Sequence, residues 1–133
     1  MRIILIRHGD AYSSNENPQR PLTEQGIAKA KKIGTFLRNT DLNPSLVYCS
    51  PKLRAKQTAE IIVEAMNLDK NVLEENDKIL PNGNVEEFFD DVKDFDFDII
   101  VVSHLPFVSF FASFVLSGAL MWLLVLILVL LCA

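Results

Sequence analysis

The chain contains two histidines, His8 and His104, and each follows a run of apolar residues. His8 comes after Ile3-Ile4-Leu5-Ile6-Arg7, and His104 after Ile99-Ile100-Val101-Val102-Ser103. The ordinary imidazole pKa is about 6.5, so a neutral ring with a nucleophilic lone pair is available at neutral pH. Arginines accompany the histidines. Arg7 adjoins His8, Arg54 lies in Ser50-Pro51-Lys52-Leu53-Arg54, and Arg20 begins Arg20-Pro21-Leu22-Thr23. A guanidinium fork makes bidentate, charge-assisted hydrogen bonds to phosphate oxygens. Gly9 allows close backbone approach to a ligand. A helix beginning at Ser50-Pro51 presents its positive end to an anion. Together these residues describe a phosphoryl pocket in which His8 attacks phosphorus. Such chemistry rests on positioning and charge stabilisation. No metal or other cofactor is called for, and the sequence has no Gly-x-x-x-x-Gly-Lys phosphate loop. A metal site built from His8, His104 and Cys49 would match no usual ligand spacing.

These residues need a scaffold that brings distant segments to one edge. Ile3 to Ile6 reads as a strand buried on both faces, as in a parallel sheet. Pro18 and Pro21 mark a loop, and Thr23 is placed to cap a helix with Glu24 in its first turn. Ile27, Ala30, Ile33 and Leu37 recur at helical spacing opposite Lys29, Lys31, Lys32 and Arg38. Leu46 to Cys49 is a second strand. Ser50 as cap and Pro51 as first helical residue predict a helix running to Met66. Val72-Leu73 is a weak third strand and Pro81-Asn82-Gly83-Asn84 a turn. Val85, Phe88, Phe89 and Val92 mark a further helix, Ile99 to Val102 a clear strand, and the chain from Phe107 onward a helix. Alternating strands and helices predict an α/β fold with a mostly parallel sheet flanked by helices. Ligands of such sheets bind beyond the carboxyl ends of the strands, where both histidines and the Ser50–Arg54 segment project.

The length of 133 residues fits one domain. A net charge of -4 argues against nucleic acid as partner. The two cysteines, Cys49 and Cys132, have neither metal nor redox spacing, so Cys49 reads as an inert buried thiol and the compartment as reducing. The apolar run near the N-terminus is too short for a signal peptide. Every charged residue lies at or before Asp98, and residues 105–133 carry none.

Taken in order, Arg7-His8-Gly9-Asp10-Ala11, Arg20-Pro21-Leu22-Thr23, Ser50-Pro51-Lys52-Leu53-Arg54-Ala55-Lys56-Gln57-Thr58-Ala59 and Ser103-His104-Leu105-Pro106 resemble the histidine phosphatase superfamily, with its phosphoglycerate-mutase-like fold. Within it they are similar to the small SixA-type phosphohistidine phosphatases, and the likeness covers roughly residues 1–116. The resemblance implies that His8 becomes transiently phosphorylated while Arg7, Arg54 and His104 neutralise the phosphoryl oxygens. Arg20, Gly9 and Ser50 are then substrate-side contacts. It also implies a cytoplasmic enzyme acting on a phosphohistidine-containing protein of a phosphorelay or phosphotransferase system. Alternatives are a phosphomonoesterase for small esters and an inactive, membrane-associated phosphate-binding module.

Larger relatives place a carboxylate near the leaving group. Here Ile79-Leu80-Pro81-Asn82-Gly83-Asn84 has none, and Glu86 and Glu87 read as a solvated helix face. An alkoxide leaving from a serine phosphate needs a proton donor. A phosphoimidazole protonated on its other nitrogen leaves neutral, which favours phosphohistidine as substrate.

The apolar C-terminal segment is atypical for this fold. The expected division is a histidine phosphatase domain at 1–116, lacking its usual terminal strands, followed by an apolar tail at 117–133. Met121 to Leu131 is an unbroken apolar run. The tail reads as a membrane anchor, as a buried helix plus a final strand, or as a truncated or frame-shifted end.

Overall fold

The computed structural model describes residues 1–117 and 127–131. The chain runs β1 (Ile3–Arg7), α1 (Glu24–Arg38), β2 (Leu46–Cys49), α2 (Leu53–Ala65), β3 (Leu73–Glu75), α3 (Val85–Val92), β4 (Ile99–Ser103), α4 (Leu105–Ser117) and β5 (Ile127–Leu131). Single 3-10 turns occupy Lys70–Val72 and Asp77–Ile79. The five strands form one sheet in the order β3-β2-β4-β1-β5, with every pairing parallel.

Both faces of β1, β2 and β4 are covered, which is why these strands are apolar along nearly their whole length. Alternate residues of each strand point to opposite sides. Ile3, Leu5, Ile99 and Val101 pack with Phe88 and Phe89 of α3 and with Phe107 and Phe111 of α4. Phe88 is the hub of that layer, with edge-to-face contacts to Tyr48, Phe107 and Phe111. Ile4, Ile6, Val47, Cys49, Ile100 and Val102 pack on the other side against Leu37 of α1 and Ala55, Ala59, Ile62 and Val63 of α2. The buried Cys49 thiol is pushed up to about 11, chiefly by burial, and so stays protonated and unreactive.

Helix starts decide where the polar groups go. Thr23 caps α1 as its sequence predicts, its hydroxyl accepting from the Gly26 amide at 3.1 Å. The expected start of α2 is corrected. The helix begins at Leu53, its cap residue is Lys52, and the Lys52 side chain makes no capping hydrogen bond. Ser50 and Pro51 form the preceding loop instead, because the Ser50 hydroxyl is engaged by His104, just past the end of the neighbouring strand β4.

At the C-terminal end, β5 pairs with β1 from Ile3↔Ile127 to Arg7↔Leu131. The final strand weighed among the readings of the tail is thus present, where the domain division expected terminal strands to be missing. Use of the tail as a membrane span finds no support, because no helix among the described residues is long and apolar enough. Most of the expected anchor, residues 118–126, lies outside the described residues.

Candidate active site

Strand register brings the two histidines together. β1 and β4 run parallel with Arg7 opposite Ser103, so the next residues, His8 and His104, emerge side by side. β2 pairs with the other edge of β4, Cys49 opposite Val102, which puts Ser50 just below His104. Because β4 lies between β2 and β1, His104 stands between Ser50 and His8. The imidazole centroids are 5.1 Å apart at an interplanar angle of 64°.

The tautomer of His8 follows from its partner. Nδ1 lies 2.8 Å from the Gly9 carbonyl oxygen, which can only accept, so Nδ1 carries the proton. Nε2 therefore presents its lone pair, and the Arg54 guanidinium donates to it from Nε at 3.3 Å. The geometry points a neutral nucleophilic nitrogen at a cation suited to a phosphoryl oxygen. Burial pushes the His8 pKa down to about 4, with Arg54, Arg7 and Arg20 adding to the effect against the Gly9 hydrogen bond.

His104 is buried, only 2% exposed, and its Nε2 meets the Ser50 hydroxyl at 2.8 Å. Its Nδ1 has no hydrogen-bond partner among the described residues. Burial pushes its pKa down to about 3, helped by Arg54, His8, Lys52 and Arg20. The charges acting most on both rings are thus cationic, as in a site built to receive an anion.

The Ser50–Thr58 segment supplies the rest. Arg54 lies in the first turn of α2, and its guanidinium pKa is lowered by burial and by Arg20. Four residues later the Thr58 hydroxyl accepts from the Gly9 amide at 2.9 Å and donates to the Arg54 carbonyl at 2.7 Å. Gln57 accepts from the Leu22 amide at 2.8 Å and so holds the loop that carries Arg20. Thr58 and Gln57 belong to the quoted motif but received no role from sequence. Their spacing from Arg54 along one helix face was the signal available.

Arg20 adopts φ 53°, an uncommon conformation for a residue with a side chain. Its Nε donates to the Tyr12 carbonyl at 3.0 Å. Arg20, Lys52 and Arg54, with Pro18, Pro51 and Leu53, line an open groove of about 590 Å³ beside His8. Arg7 ends β1 half-buried and acts on His8 through its charge.

Two expected residues serve differently from their sequence reading. A Cβ on Gly9 would lie 3.0 Å from the Gly26 carbonyl oxygen and 3.2 Å from Leu22, so its smallness makes room for α1 and not for a ligand. Ser50 is fully buried and faces His104, which makes it a support for that ring. Asp10 accepts from the Thr23 hydroxyl at 2.8 Å, tying the His8 loop to the start of α1. Glu86 and Glu87 are exposed at the start of α3, as their periodicity predicts.

Comparison with known proteins gives this arrangement a family setting. The family model of the histidine phosphatase superfamily (branch 1) matches residues 3–77. Phosphohistidine phosphatase SixA of Escherichia coli strain K12 is 29% identical over 122 residues, spanning 89% of this chain and 76% of the relative. The adenosylcobalamin/alpha-ribazole phosphatase of Salmonella typhimurium is 34% identical over 80 residues, but the match spans only 39% of that enzyme. A solved structure of the protein histidine phosphatase SixA complexed with tungstate superposes with TM-score 0.75 at 28% identity, covering 83% of this chain and 74% of that one.

Proposed function

The chain belongs to the histidine phosphatase superfamily, and from that premise we propose that it is a SixA-type phosphohistidine phosphatase with His8 as nucleophile. The observation that carries the reading is the Nδ1–Gly9 hydrogen bond, which leaves the His8 Nε2 lone pair directed beside Arg54.

In the proposed reaction the substrate phosphoryl group enters between His8, Arg54, Arg7 and His104. His8 Nε2 forms a bond to phosphorus as the phosphorus–nitrogen bond of the substrate histidine breaks. That histidine, protonated on its other ring nitrogen, leaves as neutral imidazole. Nδ1 of His8 keeps its proton on Gly9, so phospho-His8 becomes an imidazolium. Water then attacks phosphorus, phosphate departs, and neutral His8 is restored. Arginines stabilise the charge on the equatorial oxygens through both steps.

The neutral leaving group explains how the site can work without a carboxylic acid. Among the described residues no carboxylate lines the groove beside His8. Substrate choice is tested by comparing phosphate release from a phosphohistidine protein and from a phosphoserine peptide. The reading expects rapid release from the first and little from the second. High activity on phosphoserine with none on phosphohistidine would overturn it in favour of a phosphomonoesterase.

A further inference from the structure

The groove beside His8 holds more positive charge than a phosphoryl group requires. Arg2, Lys56, Lys78 and Lys93 each have a carboxylate within ion-pair distance. Most of the other cations, Arg20, Lys52 and Arg54 among them, have none within the described residues, and what sets these three apart is that they share one groove in a chain of net charge -4. Arg54 reaches His8 and serves the phosphoryl group. Arg20 and Lys52 line the same groove from two different segments, the loop before α1 and the residue that precedes α2.

The volume of about 590 Å³ lies in the range of sites that enclose a whole ligand, about 300–1,000 Å³, and so exceeds what one phosphoryl group fills. The walls are stiff, since Pro18 and Pro51 fix their local backbone. Arg20 is also held in its left-handed conformation by two bonds, from its amide to the Asn17 carbonyl and from its Nε to the Tyr12 carbonyl. Strained backbone of this kind persists where its surroundings enforce it, often at functional positions. Like charges fixed together without counter-ions are stabilised when an anion enters.

We propose that the groove between Pro18–Arg20 and Pro51–Arg54 is a docking surface for an acidic polypeptide segment flanking the phosphorylated histidine, read by Arg20 and Lys52. This inference rests on the phosphatase reading above for its substrate, though the groove itself is defined by its own residues. Charges at such a rim act mainly on association and on its salt dependence.

The test uses two fluorescent peptides, identical around a non-hydrolysable phosphohistidine analogue, one flanked by Asp and Glu and the other by Ser and Asn. Their binding to the wild type and to Lys52→Glu is measured by anisotropy at low and high salt. The wild type is expected to bind the acidic peptide about tenfold more tightly, with the preference fading at high salt and largely lost in the variant. Equal binding of the two peptides, or a preference that Lys52→Glu leaves unchanged, would overturn the proposal. Turnover of phosphoramidate by the wild type reports separately on His8 chemistry. Its absence in the wild type would sink the phosphatase reading, while the peptide preference still decides the groove.

Discussion

The Gly9 amide donates to the Thr58 hydroxyl at 2.9 Å, and this one contact fastens the nucleophile loop to the helix that carries Arg54. The same hydroxyl donates to the Arg54 carbonyl, and the Gly9 carbonyl accepts from His8. Three peptide groups and one side chain thus set both the tautomer of His8 and its distance from Arg54.

Thr58→Val keeps the shape of the side chain and removes this link. The buried Gly9 amide then lacks a partner, at a cost of about 1–3 kcal/mol in stability. Slippage of the loop is expected to lower kcat by about tenfold to a hundredfold with a smaller change in KM. Thr58→Ser retains the hydroxyl and should recover most of the rate. Urea unfolding together with steady-state kinetics distinguishes the outcomes. Equal activity in the Val and Ser variants would show that the link does not position His8.

Both histidines should resist protonation. Their pKa values are lowered to about 4 for His8 and about 3 for His104. NMR titration of the imidazole carbons should therefore show two neutral rings at pH 6, whereas midpoints near the ordinary value would contradict the burial argument.

The same shifts give stability a defined pH dependence. Between the folded values and the unfolded value of about 6.5, the unfolded chain binds more protons. The contribution of the histidines is thus fully present above about pH 6.5 and is lost as pH falls toward 4 and 3. Urea midpoints should fall on acidification, and His104→Gln should flatten the part of that fall owed to its ring.

Gly26 marks a backbone contact with no room for a methyl group, since a Cβ there would lie 2.2 Å from the Asp10 carbonyl oxygen. Gly26→Ala must push α1 away from the loop after His8. Overpacking of this kind costs about 1–3 kcal/mol, and here the upper part of that range is expected. A urea midpoint within error of the wild type would mean that the loop yields freely and does not brace His8.

Much of this was legible in the sequence, for reasons tied to particular residues. Ile3–Ile6 and Ile99–Val102 are apolar on consecutive positions because helices cover both faces of their strands. Thr23 and Glu24 mark the start of α1 through local hydrogen bonding and charge. The strand-end placement of His8, Ser50 and His104 follows from where those runs stop. Strand order was not legible, since the insertion of β4 between β2 and β1 depends on contacts between residues far apart in sequence. The role of Ser50 was misread as a helix cap for the same reason, because its partner, His104, lies just past the end of another strand. Gly9 likewise looked like an opening for a ligand until the position of Gly26 was known.

The central claim is that His8 carries the phosphoryl group, and trapping the phosphoenzyme tests it most directly. The wild type and His8→Ala are mixed with a 32P-labelled phosphohistidine protein, quenched in alkali, and digested to locate label on the chain. The account predicts label on His8 in the wild type, stable to alkali and lost in acid, and in a folded His8→Ala neither label nor phosphate release. Label on another residue, or turnover that survives in His8→Ala, would contradict it.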